Sequence, residues 1–432
     1  MSRVESDKTC ITEEVPNYGL DDLFISRTDE RGTIRAGNNA FVRISGYDWS
    51  QLRKAPHKII RHPDTPRGVF SLFWDRLREG KPVGAYVKNR AADGRYYWVF
   101  AIAMPVEGGF ISVWMKPCSA MHDRIMALYR VLLSYERDRA LKPEDSRDTL
   151  LQHLGEQGFA SYDAFMAEAI RAEVAARAEA LGKPMPPLLE DVGHLQDTVT
   201  RMEKDLAAVR ASVYEIRSTP FNLRIQASRV GDIGIPMQVI SQNYGLLAKD
   251  IEEVNAQMQE AVTAAAREVE VDGFAVAAAG LMGEAARQFR AQSDWPDGVE
   301  AEAEIAAFER EITRFAARGD GLKRQMEALL ATLRQLRRVV SGLAVVRVMC
   351  RIEAAGIADD SGGIGEVTSR LLKFQRDMVA QIDRMDAECV DAIGSAGRLQ
   401  GQTATGGGRA GRPGTAQSLA LLREMCAQAK AG

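Results

Sequence analysis

The sequence predicts an α+β domain followed by a long all-α region. Residues 20–117 hold four of the five tryptophans and carry short apolar runs separated by Gly-containing turns, as in an antiparallel sheet. Beyond about residue 118 the chain becomes rich in Ala, Leu, Glu, Arg, Met and Gln, which favour helices. At 432 residues the chain has room for two or more domains.

About five strands are expected in the first domain. They are predicted at Leu23–Ser26, Thr33–Ala36, Val83–Arg90, Tyr96–Val106 and Phe110–Pro117. The last three are separated by Asp93-Gly94 and Gly108-Gly109, and both pairs favour tight turns with positive φ. These strands therefore predict one antiparallel sheet.

Short helices are expected between the second and third strands. Two are predicted at Asn38–Ile44 and Asp48–Leu52, and a longer one at Pro66–Glu79. The apolar residues of the long helix recur at helical spacing, at Val69, Phe70, Phe73, Trp74 and Leu77. Gly80 is the residue expected to end that helix.

A polar run, Arg61-His62-Pro63-Asp64-Thr65-Pro66, precedes the long helix. Thr65 is a candidate helix cap, and Pro66 suits the first helical position because its missing N–H needs no partner there. The run predicts a rigid loop with fixed polar groups beside an apolar pocket, which is what a ligand site requires. A solvated loop is the alternative interpretation.

This pattern resembles the PAS domain of Aer-type aerotaxis receptors over about residues 18–120. Eight short blocks match in order and spacing: Asn38–Phe41, Ile44–Tyr47, Arg61–Asp64, Phe73-Trp74, Gly80–Pro82, Val87–Arg90, Asp93-Gly94 and Tyr97–Val99. Val83 stands where the family usually has a tryptophan.

The resemblance implies a PAS domain that binds FAD without a covalent bond and reports redox state or oxygen. It implies a flavin site made of Asn38, Arg61, His62, Asp64, Phe70, Trp74 and Asn89. Other interpretations stay open, with Phe70 and Trp74 as core, Asn38 as a helix cap and His62 as a loop histidine. Haem is the less favoured cofactor, because no histidine falls on an obviously buried helical face.

A heptad pattern follows the break at Gly182–Pro187. Its apolar positions alternate in spacings of four and three, at Leu195, Val199, Met202, Leu206, Val209, Val213 and Ile216. Such a repeat is typical of a coiled coil and favours a homodimer through the helical region. The alternative is a helix packed within a monomeric bundle.

Phe221–Ile240 resembles the hairpin tip of the signalling domain of methyl-accepting chemotaxis receptors. The resemblance implies that a chemotaxis coupling protein and a histidine kinase are contacted by Asn222, Gln226, Arg229, Gly231, Asp232 and Gly234. Pro236 and Met237 depart from the tip pattern of the family, which has Gly and Phe there. Cys350–Ala355, followed by the Gly-rich Asp360–Gly365, predicts a second hairpin that repeats the first.

The predicted organisation has seven parts. They are an N-terminal tail (1–19), a PAS sensor domain (20–118), a helical connector (119–186), a receptor-like hairpin (187–258), a further helical bundle with the second hairpin (259–393), a flexible Gly/Thr-rich linker (394–417) and a C-terminal helix (418–432).

Composition and motifs narrow the range of possible functions. The net charge of −3 gives no general affinity for nucleic acid, and no apolar run approaches the roughly 20 residues that span a bilayer. The polar N-terminus has no signal-peptide core, so a cytoplasmic location is expected. Five scattered cysteines without CxxC spacing predict neither a disulfide framework nor a zinc site.

No phosphate-binding loop, catalytic triad, kinase or cyclase motif is present, so an enzyme is not expected. The sequence favours a soluble PAS transducer for redox or oxygen sensing, as in energy taxis. The alternative is an interaction or scaffold protein without control of a chemotaxis kinase.

Overall fold

A computed structural model of the chain describes residues 13–216, 221, 225, 234–292, 296, 299–316, 320–355 and 364–403. These residues form two compact units. The first takes in the described residues of 13–190, 270–316 and 400–403, and the second takes in those of 191–269 and 320–399.

The first unit is built on a five-stranded antiparallel sheet. Its strands are β1 (Leu23–Asp29), β2 (Ile34–Gly37), β3 (Val83–Arg90), β4 (Tyr96–Val106) and β5 (Gly109–Met115). They lie in the order β2-β1-β5-β4-β3. The predicted sheet is confirmed, and β3 and β4 have the predicted bounds. Gly94 and Gly108 have φ of +93° and +75°, as the turns between these strands require.

Three α-helices and a 3-10 helix connect β2 to β3. They are α1 (Asn39–Ser45), α2 (Trp49–Leu52), the 3-10 helix at His57–Ile60, and α3 (Arg67–Arg78). Pro66 is the residue before the first turn of α3, rather than its first residue, with φ of −57° and ψ of 145°. Gly80 lies just beyond the end of α3 with φ of +74°, which confirms its predicted role as the helix terminator.

The predicted capping of α3 by Thr65 was wrong. The Thr65 hydroxyl donates to the carbonyl of Lys88 at 3.0 Å and accepts from the Lys88 N–H at 2.9 Å. The side chain is therefore used to attach the loop to β3. The N-terminus of α3 has no hydrogen bond from a capping side chain at its N-cap residue, Pro66.

The N-terminus of α3 is capped from two later helices, α4 (Ala120–Asp138) and α5 (Pro143–Glu156). The Glu136 carboxylate accepts from the Arg67 N–H at 2.6 Å, and the buried Ser146 hydroxyl accepts from the Gly68 N–H at 3.1 Å. Ser146 also donates to Glu136 at 2.6 Å. A carboxylate and a hydroxyl from elsewhere in the chain thus satisfy N–H groups that the helix leaves unpaired.

The remaining helices are long. They are α6 (Tyr162–Ala180), α7 (Pro187–Ile216), α8 (Gly234–Ala291), α9 (Ala301–Ala316), α10 (Asp320–Ala355) and α11 (Ile364–Thr403). Helix α8 continues without a break through the predicted domain boundary at 258. In the part of the chain that the structure describes, no helix is both long and apolar enough to cross a bilayer.

The second unit is a helical bundle made of α7, the first part of α8, α10 and α11. The heptad residues Leu195, Met202, Leu206 and Val209 are fully buried in it. Polar contacts join α7 to α11 in antiparallel register: the ion pairs Asp191–Arg398, Arg201–Glu388 and Asp205–Arg384, and the hydrogen bond His194–Asp391. The heptad face is therefore covered by the same chain, and it does not support the predicted homodimer.

The flexible linker predicted at 394–417 overlaps the end of a helix. Gly394–Thr403 is the last part of α11, and Ser395 and Ala396 are buried there. The linker prediction overweighted glycine content, whereas Ala396 continues the buried face of the helix. Residues 404–417 and the predicted C-terminal helix lie outside the described residues.

Most of the predicted hairpin tip also lies outside the described residues, namely Asn222, Gln226, Arg229, Gly231 and Asp232. Gly234 is the first residue of α8, so it belongs to the returning helix. Ile364 and Gly365 likewise begin α11 rather than ending a turn.

Candidate functional site

A cavity of about 250 Å³ lies between the inner face of the sheet and α3. Strand residues form its floor: Thr28, Val87, Asn89, Val99, Ala101, Ser112 and Trp114. Helix α3 covers it with Phe70, Phe73, Trp74 and Leu77. The rest of the lining comes from Phe110, Arg61, the 3-10 helix and the β1–β2 turn.

Aromatic side chains give the cavity fixed walls. The Trp74 ring meets Phe110 edge to face, with ring centres 5.6 Å apart. Gly32, in the β1–β2 turn, has φ of +77°, and a Cβ there would lie 2.8 Å from the Trp74 ring. Glycine therefore lets the turn close over Trp74, whose ring forms an apolar wall of the cavity.

Arg61 links the polar loop to the cavity. Its guanidinium carbon lies 3.5 Å from the centre of the Phe70 ring, and its backbone pairs with that of Asn89 as an isolated antiparallel bridge. A guanidinium stacked on an aromatic ring keeps its N–H groups free along its edge for an anion or a carbonyl. Arg61 and Asn89 thus present donors at the same part of the lining.

His57 is a lining residue that the sequence analysis missed. Its Nε2 is buried and has no hydrogen-bond partner among the described residues. Its ring packs edge to face on Trp114, with centres 4.9 Å apart. Loss of hydration on burial, together with Arg61, lowers the pKa of His57 to about 4, so the ring is neutral at pH 7. A buried polar atom at a cavity can be satisfied by a water molecule or by a polar atom of a ligand.

Asn38 lies outside this lining and caps α1. Its side-chain oxygen accepts from the N–H groups of Ile25 and Phe41, each at 3.1 Å. Its amide donates to the carbonyl of Leu23 at 2.7 Å. The structure therefore places Asn38 as a cap and a strand connector, the alternative that the sequence had left open.

His62 and Asp64 also lie outside the lining. The His62 Nδ1 accepts from the Asp64 N–H at 3.1 Å, and burial lowers the pKa of His62 to about 4. The exposed Asp64 carboxylate accepts from the Lys88 Nζ at 2.7 Å. Both residues stabilise the loop. Of residues 61–66, Arg61 is the one that lines the cavity.

Four of the seven predicted residues therefore come together: Arg61, Phe70, Trp74 and Asn89. Sequence reasoning missed His57, Phe73, Trp114, Thr28 and Ser112 as lining residues. Phe73 was already on the predicted apolar stripe of α3. Thr28, Ser112 and Trp114 lie on β1 and β5, where the alternation of side chains along each strand places them on the same face of the sheet.

The charged side chains of the lining are all positive. Arg31, Lys58 and Arg61 are cations, and none of the described lining residues is Asp, Glu or Cys. No group of His, Cys, Asp and Glu that could hold a metal ion occurs among the described residues. The site is thus suited to a flat ring with polar edges and an anionic substituent.

Comparison with known proteins assigns this region. Residues 35–113 match the family model described as the PAS fold. The chain is 36% identical over 127 residues to the aerotaxis receptor of Escherichia coli strain K12, which is 28% of this chain and 25% of that receptor. The N-terminal region is therefore a PAS domain, and the rest of the described chain is helical.

Nitrogen fixation regulatory proteins are also similar. The one from Klebsiella pneumoniae is 34% identical over 82 residues, and the one from Klebsiella oxytoca is 33% identical over 82 residues. Each match covers 19% of this chain and 17% of the relative. The chain thus matches about a quarter or less of the length of these curated relatives, which are a receptor and regulators. The matches support a signal-transducing PAS protein in general.

Proposed function

We propose that this chain is a PAS signal transducer whose cavity binds FAD and reports redox state or oxygen, as in energy taxis. The observation that supports it most is the lining itself, with aromatic walls, three cations, no carboxylate and the unpaired His57 Nε2. The resemblance to aerotaxis receptors points to the same cofactor. We do not expect the cavity to be catalytic.

The chemical groups of the lining support a flavin. Trp74 and Phe70 provide flat apolar surfaces for the ring, and His57 and Asn89 can hydrogen-bond polar atoms at its edge. Arg31, Lys58 and Arg61 match phosphate groups in charge. A bound flavin supplies reversible electron transfer, while the protein residues supply orientation and electrostatics.

Haem is the second candidate cofactor, and one observation favours it. The sequence suggested no buried helical histidine in this domain, but His57 on the 3-10 helix has a buried Nε2 at the cavity. A neutral imidazole can bind iron. The three cations and the aromatic slot favour the flavin.

For the output we propose the helical region and its hairpin tip, with Asn222, Gln226, Arg229, Gly231, Asp232 and Gly234 as the contacts for a chemotaxis coupling protein and a histidine kinase. The resemblance of Phe221–Ile240 to chemoreceptor tips supports this proposal. Pro236 and Met237 instead favour a scaffold protein without kinase control. Co-purification with an added coupling protein separates these two functions.

The test of the cofactor is an absorbance spectrum of freshly purified protein before and after dithionite. Bands near about 375 and about 450 nm that bleach on reduction would support the flavin. A Soret band would replace it with haem. A featureless visible spectrum that gains nothing on addition of FAD contradicts the proposal and favours the scaffold function.

A further inference from the structure

Helix α6 lies against the outer face of the sheet, opposite the cavity. The Tyr162 hydroxyl donates to the Gly84 carbonyl at 2.8 Å, and the Met166 sulfur accepts from the Gly84 N–H at 3.1 Å. The start of α6 thus binds the N–H and the carbonyl of Gly84, near the beginning of β3. In a strand in the middle of a sheet, these backbone groups would pair with a neighbouring strand.

Two turns further along α6, Glu173 is a fully buried carboxylate with 0% exposure. Its Oε1 accepts from the Tyr86 hydroxyl at 2.8 Å and from the Ser119 hydroxyl at 2.6 Å. Its Oε2 accepts from the N–H groups of Cys118 and Ser119 at 2.7 and 3.1 Å. Four donors satisfy both oxygens, and they come from β3 and from the segment between β5 and α4.

A buried carboxylate of this kind is sensitive to the position of every donor. Loss of one hydrogen bond to a charged group costs more than loss of a neutral one, because hydration cannot replace it. A glutamine at this position would offer one carbonyl oxygen, and its amide would face donors. The three segments must therefore stay in register around Glu173.

Strand β3, which supplies Tyr86, and strand β5, which precedes Cys118 and Ser119, both line the cavity. Tyr86 points to Glu173, while Val87 and Asn89, on the opposite face of β3, line the cavity. Ser112 and Trp114 of β5 line it as well, and β5 leads directly to Cys118 and Ser119. A shift of either strand at the cavity changes the distance of a donor to the same carboxylate.

We propose that Glu173 is the positioning residue through which β3 and the end of β5 set the position of α6 and the start of α4. That a signal starts at the cavity rests on the proposed function, whereas the hydrogen-bonded connection through Glu173 belongs to the chain itself and needs no cofactor. Tyr86 and Ser119 are linked through Glu173, and Ser119 also caps α4 by accepting from the Met121 N–H at 3.2 Å.

The test is hydrogen–deuterium exchange of the full chain, without added cofactor, in wild type and in Tyr86→Phe and Glu173→Gln. Tyr86→Phe removes one hydroxyl from β3, so a local effect would be confined to β3. We expect faster exchange, by about tenfold, in α6 and at 116–121 as well. Glu168→Gln, at an exposed position of the same helix, should leave all three segments unchanged.

Exchange changes confined to β3 in Tyr86→Phe, or equal effects in Glu168→Gln and Glu173→Gln, would overturn the proposal. Should Glu173→Gln not fold, Tyr86→Phe decides alone. FAD retention is measured separately on the same samples. A wild type that neither retains FAD nor binds added FAD contradicts the proposed function only, since the exchange result does not depend on a cofactor.

Discussion

The Arg61 guanidinium lies over the Phe70 ring at 3.5 Å from its centre, so that a loop residue and a residue of α3 form one wall of the cavity. Arg61→Met should remove the charge and the planar donors while keeping the apolar stem. We expect the Kd for FAD to rise about tenfold to hundredfold, since hydrogen bonds between charged groups are among the stronger ones. Titration of the apoprotein with FAD measures it.

Arg61→Lys is the companion variant, because it keeps the charge but loses the flat stacking. Its affinity should lie between wild type and Arg61→Met. Arg35→Met, which removes an exposed arginine paired with Asp29 outside the cavity, should bind FAD as wild type does. Equal losses for Arg35→Met and Arg61→Met would contradict the assignment of Arg61.

The unpaired Nε2 makes His57 a second test of the cavity. His57→Phe keeps an aromatic ring between Phe41 and Trp114 but removes the hydrogen-bonding nitrogen. The affinity for FAD should fall up to about tenfold, as expected for one neutral hydrogen bond. His122→Phe is the matched control, since His122 also has a buried unpaired Nε2 but does not line the cavity. Fluorescence quenching of added FAD distinguishes the two.

Burial of His57 and His62 predicts a loss of stability in acid. Both have folded pKa values of about 4, below the value of about 6.5 in an unfolded chain. The unfolded state binds the extra protons as pH falls through 6.5, so the free energy of unfolding decreases from about pH 7 to about pH 4.

The loss from His57 is at most about 3 kcal/mol. Urea unfolding at about pH 7.5 and about pH 5 should show a smaller decrease in His57→Phe than in wild type. An identical decrease in both proteins would mean that His57 is not held neutral.

The distant cap on α3 predicts a stability effect at Ser146. Ser146→Ala leaves the Gly68 N–H without its partner and should reduce the free energy of unfolding by about 1–2 kcal/mol. Thr149→Ala, at a half-buried position on α5 where the hydroxyl donates only to the Asp145 carbonyl of the same helix, should change it by less than about 0.5 kcal/mol. Chemical denaturation of both variants provides the comparison, and equal midpoints would refute the cap.

The heptad of α7 predicts a large effect at Leu206. Leu206 is fully buried, whereas Leu246 in the same bundle is 63% exposed. Leu206→Ala should cost about 2–5 kcal/mol, and Leu246→Ala less than about 0.5 kcal/mol. Thermal unfolding followed by circular dichroism tests this pair, and a destabilised Leu246→Ala would indicate that the exposed face is covered in solution.

The sheet could be predicted because its signals are local. The Asp93-Gly94 and Gly108-Gly109 pairs fix where β3, β4 and β5 turn, and the structure has β3 and β4 at the predicted bounds. The same locality explains the error at Thr65. A threonine just before a helix is usually its cap, but here the backbone of Lys88 binds the Thr65 hydroxyl. The Gly68 N–H is capped instead by Ser146, which lies 78 residues further along the chain.

The candidate site could be predicted in part for a related reason. Phe70 and Trp74 lie on the apolar stripe of α3, so the helical period alone brings them to one surface. His57 shows no comparable period, and its place at the cavity depends on how the 3-10 helix packs on Trp114. The heptad of α7 shows that a helix packs on other helices, but not whether those helices belong to a second chain.

The four helices of the second unit all come from one chain, and this affects how the protein would respond to its own abundance. A bundle assembled from two chains dissociates on dilution, and its stability depends on protomer concentration. A bundle closed within one chain has no such dependence, because its partners are held together covalently. A cell containing few copies of this protein would therefore bury the heptad face of α7 as fully as a cell containing many.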